Sequence, residues 1–393
     1  MGWQSSFDQI IDRRNTNCVK WDGAPEVFGQ EGLLPMWVAD MDFNAPKAVQ
    51  EAIRKRVSHG IYGYEQTPAS LSEAVVAWLK ERHGWEIDPA WLSHSPGVVA
   101  GLSTAVLALT EPGDRVAIQP PVYPPFRSVG ENHRRIVVEN PLLEANGRYT
   151  MDLTGLEEIF RSGVKVLILC SPHNPVGRVW SKAELLALGE LAVKYDVTVL
   201  SDEIWADLVF HSHRHVPLAS LSPEIGQRVI TFMAPSKTFN LAGLYLSNVI
   251  IQNEELRNKF CSQVQALAQG HLNVFAPVAA EAAYREGEKW LDELITYLEG
   301  NLEHLKAELA RITPKIKVVE PEGTFVVWLD CRELGIPPEE LNRFFVEEAG
   351  IAFNDGIMFG SEGAGFQRMN IGCPRPLLQK ALDRIDKALQ NRK

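Results

Sequence analysis

Three polar stretches each follow an apolar, β-branched run. Ser171-Pro172-His173-Asn174-Pro175-Val176-Gly177 follows Val164 to Cys170, Ser201-Asp202-Glu203 follows Val197 to Leu200, and Ala234-Pro235-Ser236-Lys237 follows Val229 to Phe232. In open parallel sheets ligands lie beyond the carboxyl ends of the strands, so the three stretches are candidates for one site. A lysine amine can form an imine with a carbonyl compound, and a carboxylate can hold a cationic group nearby. Lys237 or Asp202 alone would ordinarily make an ion pair. Together with Asn174-Pro175-x-Gly177 they point to chemistry.

Further candidates lie along the chain. Gly97-Val98-Val99 opens a helical pattern, where unpaired N–H groups and the helix dipole favour a phosphate dianion; the spacing is not that of a Walker loop. Arg368, in Arg368-Met369-Asn370-Ile371-Gly372, offers a planar fork suited to a carboxylate. His211, His213 and His215 alternate as residues on one strand face would. No nearby cysteine or carboxylate completes a tetrahedral set, so the stretch reads as a solvent-exposed loop and no metal is expected.

The elements that must position these residues follow from the pattern. From about residue 67 to 252, helical periods alternate with short β-branched runs, the mark of an α/β fold with a mainly parallel central sheet and helices on both faces. Thr67-Pro68 starts a helix with Thr67 as N-cap, and Gly84 ends it, with Leu71, Val75 and Leu79 on its inner face. A second helix follows Pro96-Gly97, and Val116 to Gln119 is a strand. Ser181 with Glu184 forms a capping box for a helix running to about Tyr195. After Asn253 the spacing predicts long helices over 254–269 and 277–311, a strand over Thr324 to Leu329 and a last helix from about 376. This predicts a large domain over 46–285, a smaller α+β domain over 286–393, and an N-terminal segment, 1–45, that joins the small domain.

Composition sets the bounds. The 393 residues carry a net charge of −11 and five scattered cysteines with no C-x-x-C pair. An acidic chain without a basic patch is not expected to bind nucleic acid or anionic membranes. No apolar run approaches the roughly 20 residues needed to cross a bilayer. Unpaired, scattered cysteines and the lack of an export signal predict a cytoplasmic protein. Met1-Gly2 with Ser6 matches a loose myristoylation pattern, which without a polybasic partner reads as chance.

On Lys237, Asp202 and Asn174-Pro175-x-Gly177, in that spacing and order, the chain resembles the fold-type I pyridoxal-phosphate enzymes of the aspartate-aminotransferase superfamily (class I/II) over nearly its whole length. The resemblance implies pyridoxal 5′-phosphate held as an imine by Lys237, with Asp202 keeping the pyridine nitrogen protonated so that the ring acts as an electron sink. Lys237, once freed, becomes the base at the substrate α-carbon. It further implies that Asn174 bonds the cofactor phenolic oxygen and lies beside the substrate carboxylate. Tyr123 in Pro121-Val122-Tyr123-Pro124 stacks on the ring. Val98, Val99 and Ser236 hold the phosphate. Arg368 clamps the α-carboxylate of an amino-acid substrate. Tyr64, in Tyr62-Gly63-Tyr64, matches a tyrosine that reaches the phosphate from the other subunit, so a homodimer with shared active sites is expected.

Two positions depart from most aminotransferases. Trp205 stands where many relatives place a tyrosine hydroxyl, and Tyr245 stands where many place a phosphate-binding arginine. With Trp37-Val38-Ala39-Asp40-Met41-Asp42-Phe43, Lys237-Thr238-Phe239-Asn240 and Gly372-Cys373-Pro374-Arg375, these departures resemble the MalY/PatB branch of cystathionine β-lyases. That branch cleaves cystathionine and S-substituted cysteines to thiol, pyruvate and ammonia. An aminotransferase acting on an aromatic or aliphatic amino acid is the alternative. A third is a regulatory protein that binds a transcription factor. Trp37, Tyr62 and the stretch from Asn354 to Met358 are candidates for the substrate side-chain pocket.

Overall fold

The structure, a computed structural model, describes residues 6–392; Met1 and Gly2 of the myristoylation pattern lie outside the described residues. Seven strands form the central sheet: β1 (Leu92–Ser95), β2 (Arg115–Ile118), β3 (Ile136–Glu139), β4 (Val164–Cys170), β5 (Thr198–Asp202), β6 (Val229–Met233) and β7 (Ser247–Ile251). Their order is β1-β7-β6-β5-β4-β2-β3. β6, β5, β4, β2 and β3 run parallel, while β7 is antiparallel to both of its neighbours.

Strand side chains alternate between two buried layers, which explains why these runs are apolar on both faces. Val166, Ile168 and Cys170 pack in one layer with Leu102, Phe232 and Phe260. Leu167 and Leu169 pack in the other with Leu185, Leu188 and Val199. The helix Val98–Leu109 lies close to the sheet because residue 101 is glycine. A Cβ there would sit 2.6 Å from Ser95 Oγ and 2.9 Å from the Phe232 ring.

A second, antiparallel sheet follows: β8 (Lys317–Val319), β9 (Val326–Asp330), β10 (Asn354–Asp355) and β11 (Phe366–Asn370), in the order β8-β9-β11-β10. Helices Glu288–Ile312 and Arg375–Asn391 accompany it. From the N-terminal segment, Leu34–Pro35 pairs in parallel with Ile351–Ala352.

Several expectations hold. The Ser181 capping box opens Lys182–Tyr195 with both reciprocal hydrogen bonds. Gly84 closes Ala69–His83 in the left-handed region, and Leu71, Val75 and Leu79 are buried. Others need correction. The helix begins at Ala69, one residue later than expected, so its cap is Pro68, extended at ψ 140° and without a side-chain cap, and Thr67 lies one residue outside the cap position expected for it. The long helix expected over 277–311 is two, Ala276–Glu286 and Glu288–Ile312. They meet at Gly287, where a Cβ would lie 2.5 Å from the Phe239 ring, so the chain turns against that ring. The strand expected from Thr324 begins at Val326, because Thr324 has φ 71°. The histidine stretch is only partly exposed. His211 is exposed, yet His215 is buried with its Nε2 2.7 Å from Glu203 Oε2.

Candidate active site

The carboxyl ends of β4, β5 and β6 open into a cavity of about 510 Å³. Its walls include Lys237, Asp202, Asn174, Tyr123, Val98, Val99, Ser236 and Arg368, together with Trp37, Trp205, Tyr245 and Asn354. Of the site residues expected from sequence, the cofactor and substrate-carboxylate set reaches this cavity except Tyr64; of the side-chain candidates Trp37 and Asn354 reach it, whereas Tyr62 and residues 355–358 do not. The Tyr64 side chain is fully exposed, and its ring faces His271 at 6.3 Å. Tyr62 is half-exposed beside Phe275, also outside the cavity wall.

Register brings the key groups together. Cys170 at the end of β4 and Phe232 in β6 both pair with Asp202, so the Asp202 carboxylate rises at the middle of three strand ends. It is buried and accepts one hydrogen bond among the described residues, from Ile204 N–H at 3.1 Å. Burial drives its pKa up to about 7 against that single donor and the pull of Lys237. A cationic N–H beside it would restore its ionised form.

Lys237 sits in the short helix Pro235–Thr238 that follows β6. Its Nζ donates to Ala39 O at 2.5 Å and lies 5.5 Å from the centre of the Trp205 ring. Enclosure, with Arg368 adding to it, pulls the amine down to about 8, while Asp40 and Asp202 act the other way. The lysine is therefore near the point where it can both take and give a proton at neutral pH.

Arg368 comes from β11 in the second sheet and is buried. Its NH1 donates to Asn174 Oδ1 (3.0 Å), and its NH2 to Asn354 Oδ1 (2.6 Å) and Trp37 O (2.8 Å). Its Nε is buried and has no hydrogen-bond partner among the described residues. Neutral oxygens thus aim the fork while its charge stays uncompensated, which leaves it ready for a carboxylate. Burial lowers its pKa to about 10, so it remains a cation at neutral pH.

Also in the cavity wall, Gly97 adopts φ 95°, a conformation open to glycine, and sends the chain into Val98–Leu109. The first-turn N–H groups have no carbonyl one turn back within the helix. Trp205 is buried edge-on to Phe325 at 4.8 Å, so no hydroxyl stands at that position.

A model of the aminotransferase class I and II family matches residues 35–385. The chain belongs to that family. Among class I and II relatives, the cystathionine beta-lyase PatB of Bacillus subtilis is 46% identical over 385 residues, spanning 98% of this chain and 100% of that one. Protein MalY of Escherichia coli is 32% identical over 387 residues, 98% of each chain. The crystal structure of cystalysin from Treponema denticola, which contains a pyridoxal 5′-phosphate cofactor, superposes with a TM-score of 0.96 at 36% identity, covering 98% of this chain and 99% of that one. The α/β, fold-type I architecture of the family is thereby established for this chain.

Sequence reasoning missed the backbone acceptors Ala39 O and Trp37 O, and the walls formed by Cys170, Ile204 and Leu246. Carbonyls carry no residue-type signal. Cys170 was legible only as the last residue before the Ser171 to Gly177 stretch.

Proposed function

We propose that this protein is a pyridoxal 5′-phosphate-dependent carbon–sulfur β-lyase of the cystathionine β-lyase type. It acts on cystathionine or other S-substituted cysteines and yields a thiol, pyruvate and ammonia. The observation that carries the reading is the end-to-end likeness to the Bacillus subtilis cystathionine beta-lyase, 46% identical. The aminotransferase alternative is less favoured, because Trp205 and Tyr245 also depart from the usual aminotransferase residues.

The cavity residues fit the cofactor. Asp202 is a buried carboxylate short of donors, as a protonated pyridine nitrogen requires. Asn174 Nδ2 has no partner among the described residues and suits a phenolic oxygen, and Tyr123 offers a ring face. The free N–H groups of Val98 and Val99, with the Ser236 hydroxyl, suit a phosphate dianion. When bound, the cofactor supplies an electron sink for charge that develops at the substrate α-carbon.

The chain's own residues do the rest. Arg368 and Asn174 orient the α-carboxylate, which fixes the face of the α-carbon that Lys237 meets. Lys237 takes the α-proton; the electron pair this leaves forms the Cα–Cβ double bond as the Cβ–S bond breaks with its own pair on sulfur. The proton held by Lys237 is available to that thiolate, and water hydrolyses the released enamine to pyruvate and ammonia. Asp202 keeps the cofactor nitrogen protonated throughout. Trp37 and Trp205 line the wall offered to the departing thiol group, while Tyr245, exposed beside Gly97, lies toward the phosphate site.

We extend the reading to assembly and organisation. Tyr64, exposed and outside its own cavity, serves the phosphate of a second copy in a cytoplasmic homodimer. The large domain spans 46–285 and the small domain 286–393, with 1–45 joined to the latter; the pairing of Leu34–Pro35 with Ile351–Ala352 supports that attachment. The test of function is thiol release from an S-substituted cysteine by the holoenzyme without added keto acid. Release that is lost in Lys237→Ala supports the reading, and dependence on a keto acid contradicts it.

A further inference from the structure

The stretch Trp37 to Phe43 supplies part of the cavity wall, yet its backbone does something more specific. Trp37 O accepts from Arg368 (2.8 Å), Val38 O from Asn370 (2.7 Å) and Ala39 O from Lys237 (2.5 Å). Asp40 O also accepts from Asn370 (2.6 Å), while Met41 O and Phe43 O accept from Asn240 (2.9 and 2.8 Å). Asn240 lies three residues beyond Lys237, and Asn370 two beyond Arg368. One ribbon therefore takes hydrogen bonds from the lysine turn and from the arginine strand at once.

This ribbon belongs to neither sheet, so no strand ladder sets its position. Its acidic side chains meet an ion cluster instead. Arg13 NH1 and NH2 donate to the two oxygens of Asp40 at 2.9 and 2.6 Å, and NH1 also reaches Asp42 Oδ1 at 2.8 Å. Lys20 Nζ donates to Asp42 Oδ2 at 2.6 Å, and Trp21 Nε1 to Asp42 Oδ1 at 2.9 Å. Lys20 and Asp42 are 1% and 3% exposed. Burying such charges gains little stability over packed apolar side chains; what it specifies is a single geometry.

We infer that Arg13 and Asp40 are positioning residues: the Arg13 fork across Asp40 and Asp42 fixes the 37–43 ribbon, and the ribbon sets the Lys237 amine relative to the Arg368 guanidinium. The inference rests on the roles given above to Lys237 and Arg368. Charge acts at the same place, since Arg368, Asp40 and Asp202 are the charged groups whose fields reach Lys237. Neither Arg13 nor Asp40 lines the cavity; Arg13 acts through the ribbon, and Asp40 acts through the ribbon and through its field at Lys237.

Arg13→Met removes the fork and leaves the cavity wall intact. In the apoprotein, hydrogen exchange should accelerate at the amides of Met41 and Asp42, which donate to Asn240 Oδ1 and Gly372 O, with β4 and β5 unchanged. In the holoenzyme, kcat should fall about tenfold or more with a smaller change in KM, because misplacement of a reacting group costs turnover first. The pH transition of cofactor absorption should also shift, and Arg13→Lys should recover part of each effect. Unchanged exchange over 37–43 overturns the inference. So does faster exchange with kcat and the absorption transition unmoved, which would make the cluster a fastener of the N-terminal segment only. If Arg13→Met does not fold, Asp40→Asn, which keeps the side-chain shape, is read in the same way. Exchange is measured without the reaction, so failure here is separable from failure of the lyase reading.

Discussion

Lys237 and Asp202 line one cavity from the ends of neighbouring parallel strands, yet they make no ion pair: the amine is drawn to Ala39 O and the carboxylate to Ile204 N–H. Enclosure shifts both toward neutrality, the acid up to about 7 and the amine down to about 8. A pair poised this way is short of a partner between them.

The shifts set the pH dependence of apoprotein stability. Asp202 titrates near 3.8 when unfolded and about 7 when folded, so between those values the folded chain holds the extra proton and stability falls as pH rises. Apo Asp202→Asn should therefore gain stability over the native apoprotein from pH 4 to 7 and keep that gain above. Lys237 runs the other way. Its amine titrates near 10.5 unfolded and about 8 folded, so its cost is full below pH 8 and fades as pH climbs to 10.5. Apo Lys237→Met should be the more stable below pH 8 and converge with the native apoprotein near pH 10.5. Thermal melts across pH check both signs.

Arg368→Lys keeps the charge and loses the fork that Asn174, Asn354 and Trp37 aim. Loss of two charge-assisted hydrogen bonds, about 3 kcal/mol together, corresponds to about a hundredfold fall in kcat/KM. Steady-state kinetics with amino-acid substrates should show it, and cofactor affinity should stay near native.

Gly101→Ala would press a methyl group into Ser95 Oγ and the Phe232 ring. The helix must then lift from the sheet, at a cost of about 1–3 kcal/mol. Because the same helix presents Val98 and Val99, cofactor affinity should fall along with the melting temperature. Equilibrium titration of the apoprotein with cofactor reads this.

The proposal that two copies share each site predicts complementation. Tyr64→Phe and Lys237→Ala, each impaired alone, should regain activity when unfolded together and refolded as mixed dimers, since one site of each hybrid then carries both native residues. Mixed samples no more active than the sum of the two variants would place Tyr64 outside the reaction.

Much of this was legible in the chain because strand ends and side-chain chemistry leave residue-type signals. Apolar runs before Asn174, Asp202 and Lys237 located β4, β5 and β6 within two residues. The break at Gly287 was not legible, since it depends on Phe239 approaching from a distant segment. His215 was misjudged for the same reason: its partner Glu203 lies on another segment, and only the fold brings the two together. The ribbon of carbonyls from Trp37 to Phe43 had a recognisable motif but no readable task, because main-chain acceptors are alike at every residue.

The most direct measurement is product stoichiometry from L-cystathionine with the holoenzyme and no keto acid. The account predicts thiol, pyruvate and ammonia in equal amounts, with all three lost in Lys237→Ala. Intact sulfur in the product, formed only when a keto acid is supplied, would contradict it.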